Sequence, residues 1–333
     1  MLPTLRSPRL SSAAAVAAAG LIALLVATQA EAVIVTGTAG NNTSAPTDSA
    51  LAVRWGQVGI FRPTWGPDGF LGTPISSNVF ITAKHIAGYV GDKITMADGT
   101  QHTTIAMFND PSSDLALWQI ADTFPSSLIV PLYTSGSVAV NAPMYIFGVG
   151  SARGAEVDGN AFGGGTELKG WRWGAYDDVN PVKSWGTNNL AGLYNFGSAG
   201  LQLGYSFSAG VSDNEGTLGY GDSGGPVFIQ QAGVWSLAAI NYGVDSQFNT
   251  TNTGGGFNAA IFDIGGLYTP GANSTWVYNQ PALADDPAYA YSTSTTNRLD
   301  WINQTVAAVP EPSSIVLALV GVCAAAAARR TRK

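Results

Sequence analysis

Gly221-Asp222-Ser223-Gly224-Gly225-Pro226 is the stretch on which the reading of this chain turns. A serine hydroxyl attacks a carbonyl carbon only when a neighbouring base takes its proton and donors stabilise the oxyanion that forms. Glycines on both sides of a serine leave room for the incoming carbonyl. They also let backbone N–H groups turn towards the developing charge. The hexapeptide has that composition, but alone it does not settle a fold.

Gly221-x-Ser223-x-Gly225 also satisfies the G-x-S-x-G turn of α/β-hydrolases, so the histidines must decide. There are two, His85 and His102, and both precede Ser223. An α/β-hydrolase needs its histidine after the serine, which excludes that order here. A subtilisin-type order needs an aspartate before the histidine, and Asp48 or Asp68 nominally serves, but that fold alternates strands with long helices. The remaining order is His, Asp, Ser.

Working outward, the pattern is strand and turn rather than helix. Val53–Phe61, Asn78–Ala83, Leu115–Ile120, Met144–Gly148, Leu201–Phe207, Val227–Ile229 and Val234–Ile240 are short runs rich in β-branched and aromatic residues. Asp98-Gly99 marks a hairpin between Ile94–Met96 and Thr103–Ala106. Residues 151–200 read as a hairpin with long loops, and residues 264–296 as a surface insertion. Leu299, Ile302 and Val306 fall at helical spacing, which predicts a C-terminal helix over about 297–307. His102, in the polar run Gly99–Thr103, reads as a surface-loop residue.

Composition agrees with an all-β chain. Of 333 residues only 11% are charged, against roughly 25% in an average soluble domain, and 41 are glycine. Residues 1–32 carry Arg6 and Arg9, an apolar stretch and Ala30-Glu31-Ala32, the pattern of a secretory signal peptide; an uncleaved membrane helix is the competing reading. The other end runs Pro310-Glu311-Pro312, an apolar stretch over 313–328, then Arg329-Arg330-Thr331-Arg332-Lys333. Basic residues after a marginal span stay cytoplasmic, which places the preceding domain outside. Without the two ends the net charge falls from −7 to near −11, which argues against a nucleic-acid partner. The single cysteine, Cys323, lies in the apolar tail, so the exported domain has no disulfide. With two histidines and no usable thiol, neither a metal site nor a cofactor is expected.

The local contexts carry a family resemblance. Phe80-Ile81-Thr82-Ala83-Lys84-His85, Ser113-Asp114-Leu115-Ala116-Leu117, the serine hexapeptide, Asn241-Tyr242-Gly243 and Leu299-Asp300-Trp301-Ile302 together resemble chymotrypsin-like (trypsin-like) serine proteases. The resemblance implies two six-stranded antiparallel β-barrels with the active site between them, plus a C-terminal helix. Barrel 1 would span about 50–140 and barrel 2 about 141–296. It implies His85 as general base, Asp114 as its orienting acid in preference to Asp92 or Asp110, and Ser223 as nucleophile. Gly221 and Ser223 would supply the oxyanion-hole N–H groups. Thr217, Leu218, Asn241, Tyr242 and Gly243 would form the substrate pocket, with Thr217 at its floor. The C-terminal end resembles the PEP-CTERM sorting tail, which implies processing by an exosortase-type enzyme after signal-peptidase cleavage. A plain membrane anchor over 313–328 is the alternative.

Three departures bear on function. Thr217 carries no charge where relatives that cut after Lys or Arg hold an aspartate, so a neutral residue before the scissile bond (P1) is expected. Glu215, Asp213 and Asp245 lie close enough in sequence to supply a charge instead. Lys84 precedes the histidine, and Ile86 stands where many relatives have a disulfide cysteine. In relatives the aspartate at Asp222 pairs with a newly made terminal amine, and cleavage after Ala32 would make one at Val33. The competing reading is a flexible leader over 33–49. The expected partners are protein or peptide substrates. The alternative functions are a non-catalytic surface or matrix binder on the same fold, and an esterase using the same three residues.

Overall fold

The computed structural model describes residues 33–37, 42–66 and 68–310. The signal segment and the apolar tail over 313–328 lie outside them. Six antiparallel strands close a barrel in the order Gly59–Arg62, Phe70–Pro74, Val79–Ala83, Leu115–Ile120, Gln101–Asn109 and Lys93–Thr95. Its interior is filled by aromatic side chains. Phe61 lies 5.3 Å from Phe80 and 5.2 Å from Trp118, ring centre to ring centre. Their burial supplies the apolar transfer that a chain without disulfides depends on. The hairpin at Asp98-Gly99 forms as the dipeptide predicts, with Gly99 at φ 84°.

The second half departs from the expected closed barrel. Seven strands run in the order Ser184–Asn189, Pro143–Gly148, Pro226–Gln231, Val234–Val244, Tyr289–Ser294, Leu201–Ser206 and Gly192–Asn195. The sheet curls until its first and sixth strands meet, yet no ladder joins them. Asn188 bridges the gap instead, its Nδ2 donating to the carbonyls of Ser206 at 2.8 Å and Gly216 at 3.0 Å. A side-chain amide thus satisfies backbone acceptors that a closing strand pair would otherwise pair.

Three sequence readings change. Val53–Phe61 is not one strand: Asp48 caps a helix over Ser49–Gly56, accepting from the N–H groups of Ala50 and Leu51, and only the end of the run is strand. Tyr289–Ser294 is a central strand rather than part of a surface insertion. Its polar face is buried because each group has a partner: Ser292 donates to Asn241 Oδ1, and Thr293 to Gln202 Oε1. His102 sits buried on Gln101–Asn109, with Nδ1 2.9 Å from Asp122 and its ring against Phe124.

Residues 153–173 and 259–261 form a three-stranded sheet beside the main one. Lys169 is buried within it, held by Asp263 and Glu167. The C-terminal helix, Leu299–Ala308, buries Ile302 in the core that lines the first barrel. At its foot Arg298 grips Asp110 through two nitrogens at 2.6 Å, and Asp110 also accepts from Ser113 Oγ. This bidentate pair clamps the turn that leads into Leu115–Ile120. Arg298→Ala leaves a buried carboxylate unpaired, and we expect about 3 kcal/mol of lost stability in urea unfolding.

Candidate active site

His85 and Asp114 sit together because their strands pair. Val79–Ala83 and Leu115–Ile120 are antiparallel with Ala83 opposite Leu115, so the residues just beyond those ends meet. His85 lies in the single 3₁₀ turn Lys84–Ile86 that ends its strand. Its backbone N–H donates to Asp114 Oδ1 at 3.0 Å, and its Nδ1 lies 2.5 Å from Asp114 Oδ2. Two bonds from one carboxylate fix both the position and the ring plane of the imidazole. Asp92 and Asp110, the other candidate acids, are committed elsewhere: Asp92 to the N–H groups of Thr64 and Tyr89, Asp110 to Arg298. Lys84 neither faces the imidazole nor solvent alone; its ammonium donates to the carbonyls of Asp110 and Ser113, bracing the turn that carries Asp114.

Ser223 comes from the other half of the molecule, ahead of strand Pro226–Gln231. His85 Nε2 lies 2.7 Å from its Oγ. The turn that presents it presses against the first barrel, and the glycines make that approach possible. A Cβ on Gly224, at φ 79°, would stand 2.3 Å from Thr82 Oγ1 and 2.6 Å from the Leu71 carbonyl. Gly221 adopts φ 92°. Among the described residues no backbone carbonyl accepts from the N–H of Gly221 or Ser223. Both donors lie in the turn that carries the hydroxyl.

Asp222 is buried beneath the serine. Oδ1 accepts from Gly150 N at 2.8 Å and Val33 N at 3.4 Å, and Oδ2 from Gly219 N at 2.7 Å. Burial pushes its carboxyl up to about 6, against the pull of those donors. The segment behind Val33 is docked, not loose: Ile34 and Val35 pair with Thr217 and Gly216, and Thr36 N donates to the Glu215 carbonyl. Within the expected leader over 33–49, the side chains of Val33, Ile34 and Val35 are buried.

Beside Ser223 opens a cavity of about 410 Å³. Of the expected pocket residues, Leu218, Tyr242 and Gly243 line it. Thr217 does not, because it is buried in the pairing with Ile34, and Asn241 lies behind the wall, donating to the carbonyls of Phe147 and Asp222. Sequence reasoning missed Trp173, Val244 and Ser246, which reach the cavity from segments with no spacing relation to Ser223. The Tyr242 ring stands edge-on to His85, with centres 5.7 Å apart.

Among comparisons with known proteins, residues 308–333 match the PEP-CTERM protein-sorting motif. The motif marks the chain as an exported bacterial protein of the cell surface or extracellular space, handled by exosortase-type sorting machinery. No curated protein matches the chain.

Glu215 is a buried carboxyl next to the docked segment. Burial raises it from 4.5 to about 7, opposed by the Ser208 N–H. A carboxyl raised in the folded state contributes full stability below its unfolded value, near 4.5, and loses it as pH rises through about 7. Glu215→Gln, which keeps the acceptor and removes the charge, is expected to stabilise the fold by roughly 2 kcal/mol at pH 8 and by little at pH 4. Urea unfolding at the two pH values checks this.

Proposed function

We propose that this chain is an exported serine endopeptidase that hydrolyses peptide bonds through an acyl-enzyme on Ser223. The observation that carries the reading is the continuous path Asp114 Oδ2, His85, Ser223 Oγ, with links of 2.5 and 2.7 Å between residues far apart in the chain. His85 Nε2 takes the proton as Ser223 Oγ bonds to the carbonyl carbon, and the π electrons move to the carbonyl oxygen. The N–H groups of Gly221 and Ser223 stabilise that oxyanion. His85 then gives the proton to the leaving amine, the C–N bond breaks, and water repeats the sequence to free Ser223.

One feature favours a peptide substrate and a second bears on its P1 residue. Strand Val234–Val244 has the partner Pro226–Gln231 on one side only as far as Ile240, so its edge over Tyr242–Val244 is open beside His85. An open edge accepts an extended peptide as an added strand. The cavity next to Ser223 is lined by Leu218, Val244 and Trp173, and its single carboxylate, Asp222, is already held by backbone donors. An apolar or small polar P1 residue suits it better than Lys or Arg, whose charge would lie unpaired there.

Activation follows from export on this reading. Signal cleavage after Ala32 turns the Val33 N–H, 3.4 Å from Asp222, into an ammonium at a buried carboxylate held by backbone donors alone. The ion pair would hold the turn that carries Gly221 and Ser223.

A fluorophosphonate probe is expected to label the mature protein on Ser223. Labelling is lost in Ser223→Ala, and peptidase kcat falls at least about 10³-fold in His85→Ala and Asp114→Asn. A well-folded wild type that takes no label contradicts the reading. For activation, a chain beginning with one extra residue before Val33 is expected to lose at least about tenfold in kcat relative to one beginning at Val33. Equal activity of the two rules out the terminal ion pair.

A further inference from the structure

The cleft continues past the apolar cavity. Val244 and Ser246 line both that cavity and a second one of about 430 Å³. The second cavity has apolar walls from Phe248, Ile264 and Pro270, two carboxylates from Asp245 and Asp286, and the ring of Tyr289. Among the described residues no lysine or arginine lines it. Among the described residues Asp245 is met only by neutral donors, Tyr289 N at 2.9 Å and Tyr291 Oη at 3.1 Å, so none of them neutralises its charge. Asp286 is exposed, and among the described residues no hydrogen-bond donor meets its carboxylate. Lys169, the cation of this region, is already committed to Asp263 and Glu167.

The open strand edge gives the distance. Asn241 N donates to the Gly225 carbonyl and its own carbonyl accepts from Gly224 N, so position 241 lies beside the serine turn. Four residues further on is Asp245, about 13 Å away along extended strand. A peptide laid on the edge covers that length in about four residues.

We propose that the second cavity is a substrate subsite for the lysine or arginine side chain of the third or fourth residue before the scissile bond (P3 or P4). The proposal rests on the peptidase reading and adds a substrate class to it: peptides with a neutral P1 residue and a cation two or three positions upstream. The methylenes of a long basic side chain cover the apolar walls while its head stays at the wet mouth. There the head meets Asp245 and Asp286 and the face of Tyr289, three groups that each attract a cation. A glutamate in the same place meets two like charges with nothing to offset them.

Cleavage of three fluorogenic peptides that differ only in carrying Arg, Ala or Glu at P4, with a matched set at P3, tests this. For the mature wild type, kcat/KM at one of the two positions is expected to be on the order of tenfold higher for Arg than for Ala, with Glu lowest. Raising salt from 0.05 to 0.5 M, values chosen to span strong to weak screening, should shrink the ratio. Asp286→Asn is expected to lower the Arg-to-Ala ratio, with Asp245 and Tyr289 still in place, and Asp286→Lys to lower it further and raise Glu towards Arg. Cleavage with no preference at P3 or P4, or a preference that both variants leave unchanged, overturns the subsite while the peptidase reading stands. Absence of cleavage together with absence of fluorophosphonate labelling overturns both.

Discussion

The buried carboxylate of Asp222 is the constraint around which the site is arranged. A charge in that position is costly unless donors surround it, and three segments supply them: Gly148–Gly150, the docked start at Val33, and Gly219 within its own turn. Satisfying one carboxylate therefore pins two distant stretches of chain to its own turn. The Ser223 turn is pinned with them, because Asn241 also donates to the Asp222 carbonyl. The raised carboxyl, near 6, records that backbone donors alone do not fully offset the burial. On the proposed activation by export, an ammonium at Val33 would complete the set.

The second constraint is that the three aligned residues come from two different sheets. His85 and Asp114 belong to the closed barrel, whose strand register sets their distance. Ser223 belongs to the curled seven-stranded sheet. The 2.7 Å contact between them therefore depends on how closely the two halves approach. Gly224 permits that approach, and the loop at Gly197–Ala199 reinforces it from the other side, where the Ala199 carbonyl accepts from Asp114 N. The acid thus has one anchor in each half. Arg298, at the start of the terminal helix, fixes the neighbouring Asp110 and gives the C-terminal helix a part in holding the site.

How legible this was in the sequence varied with the kind of signal. The order His, Asp, Ser leaves several aspartates open; the local contexts that resemble the protease family point to His85, Asp114 and Ser223, which the structure brings together. Strands with strong apolar content, such as Leu115–Ile120, matched to the residue. Tyr289–Ser294 did not, since its buried Ser and Thr resemble loop residues until their partners on neighbouring strands are known. Asn188 was invisible for a related reason: nothing local marks an asparagine that stands in for a missing strand pair. The family resemblance implies Thr217 at the pocket floor. The structure turns it instead towards Ile34, because that short pairing buries the docked start of the chain. His102 looked solvated from its polar neighbours, yet strand alternation points it inward against Phe124.

The central claim is that Ser223 becomes acylated during turnover, and rapid-mixing kinetics with a chromogenic nitrophenyl ester read that step directly. The account predicts a burst of about one nitrophenolate per chain before a slower steady rate, with the acyl group found on Ser223 by mass spectrometry after acid quench. A linear time course with no burst, from protein that carries no acyl group when quenched, would contradict it.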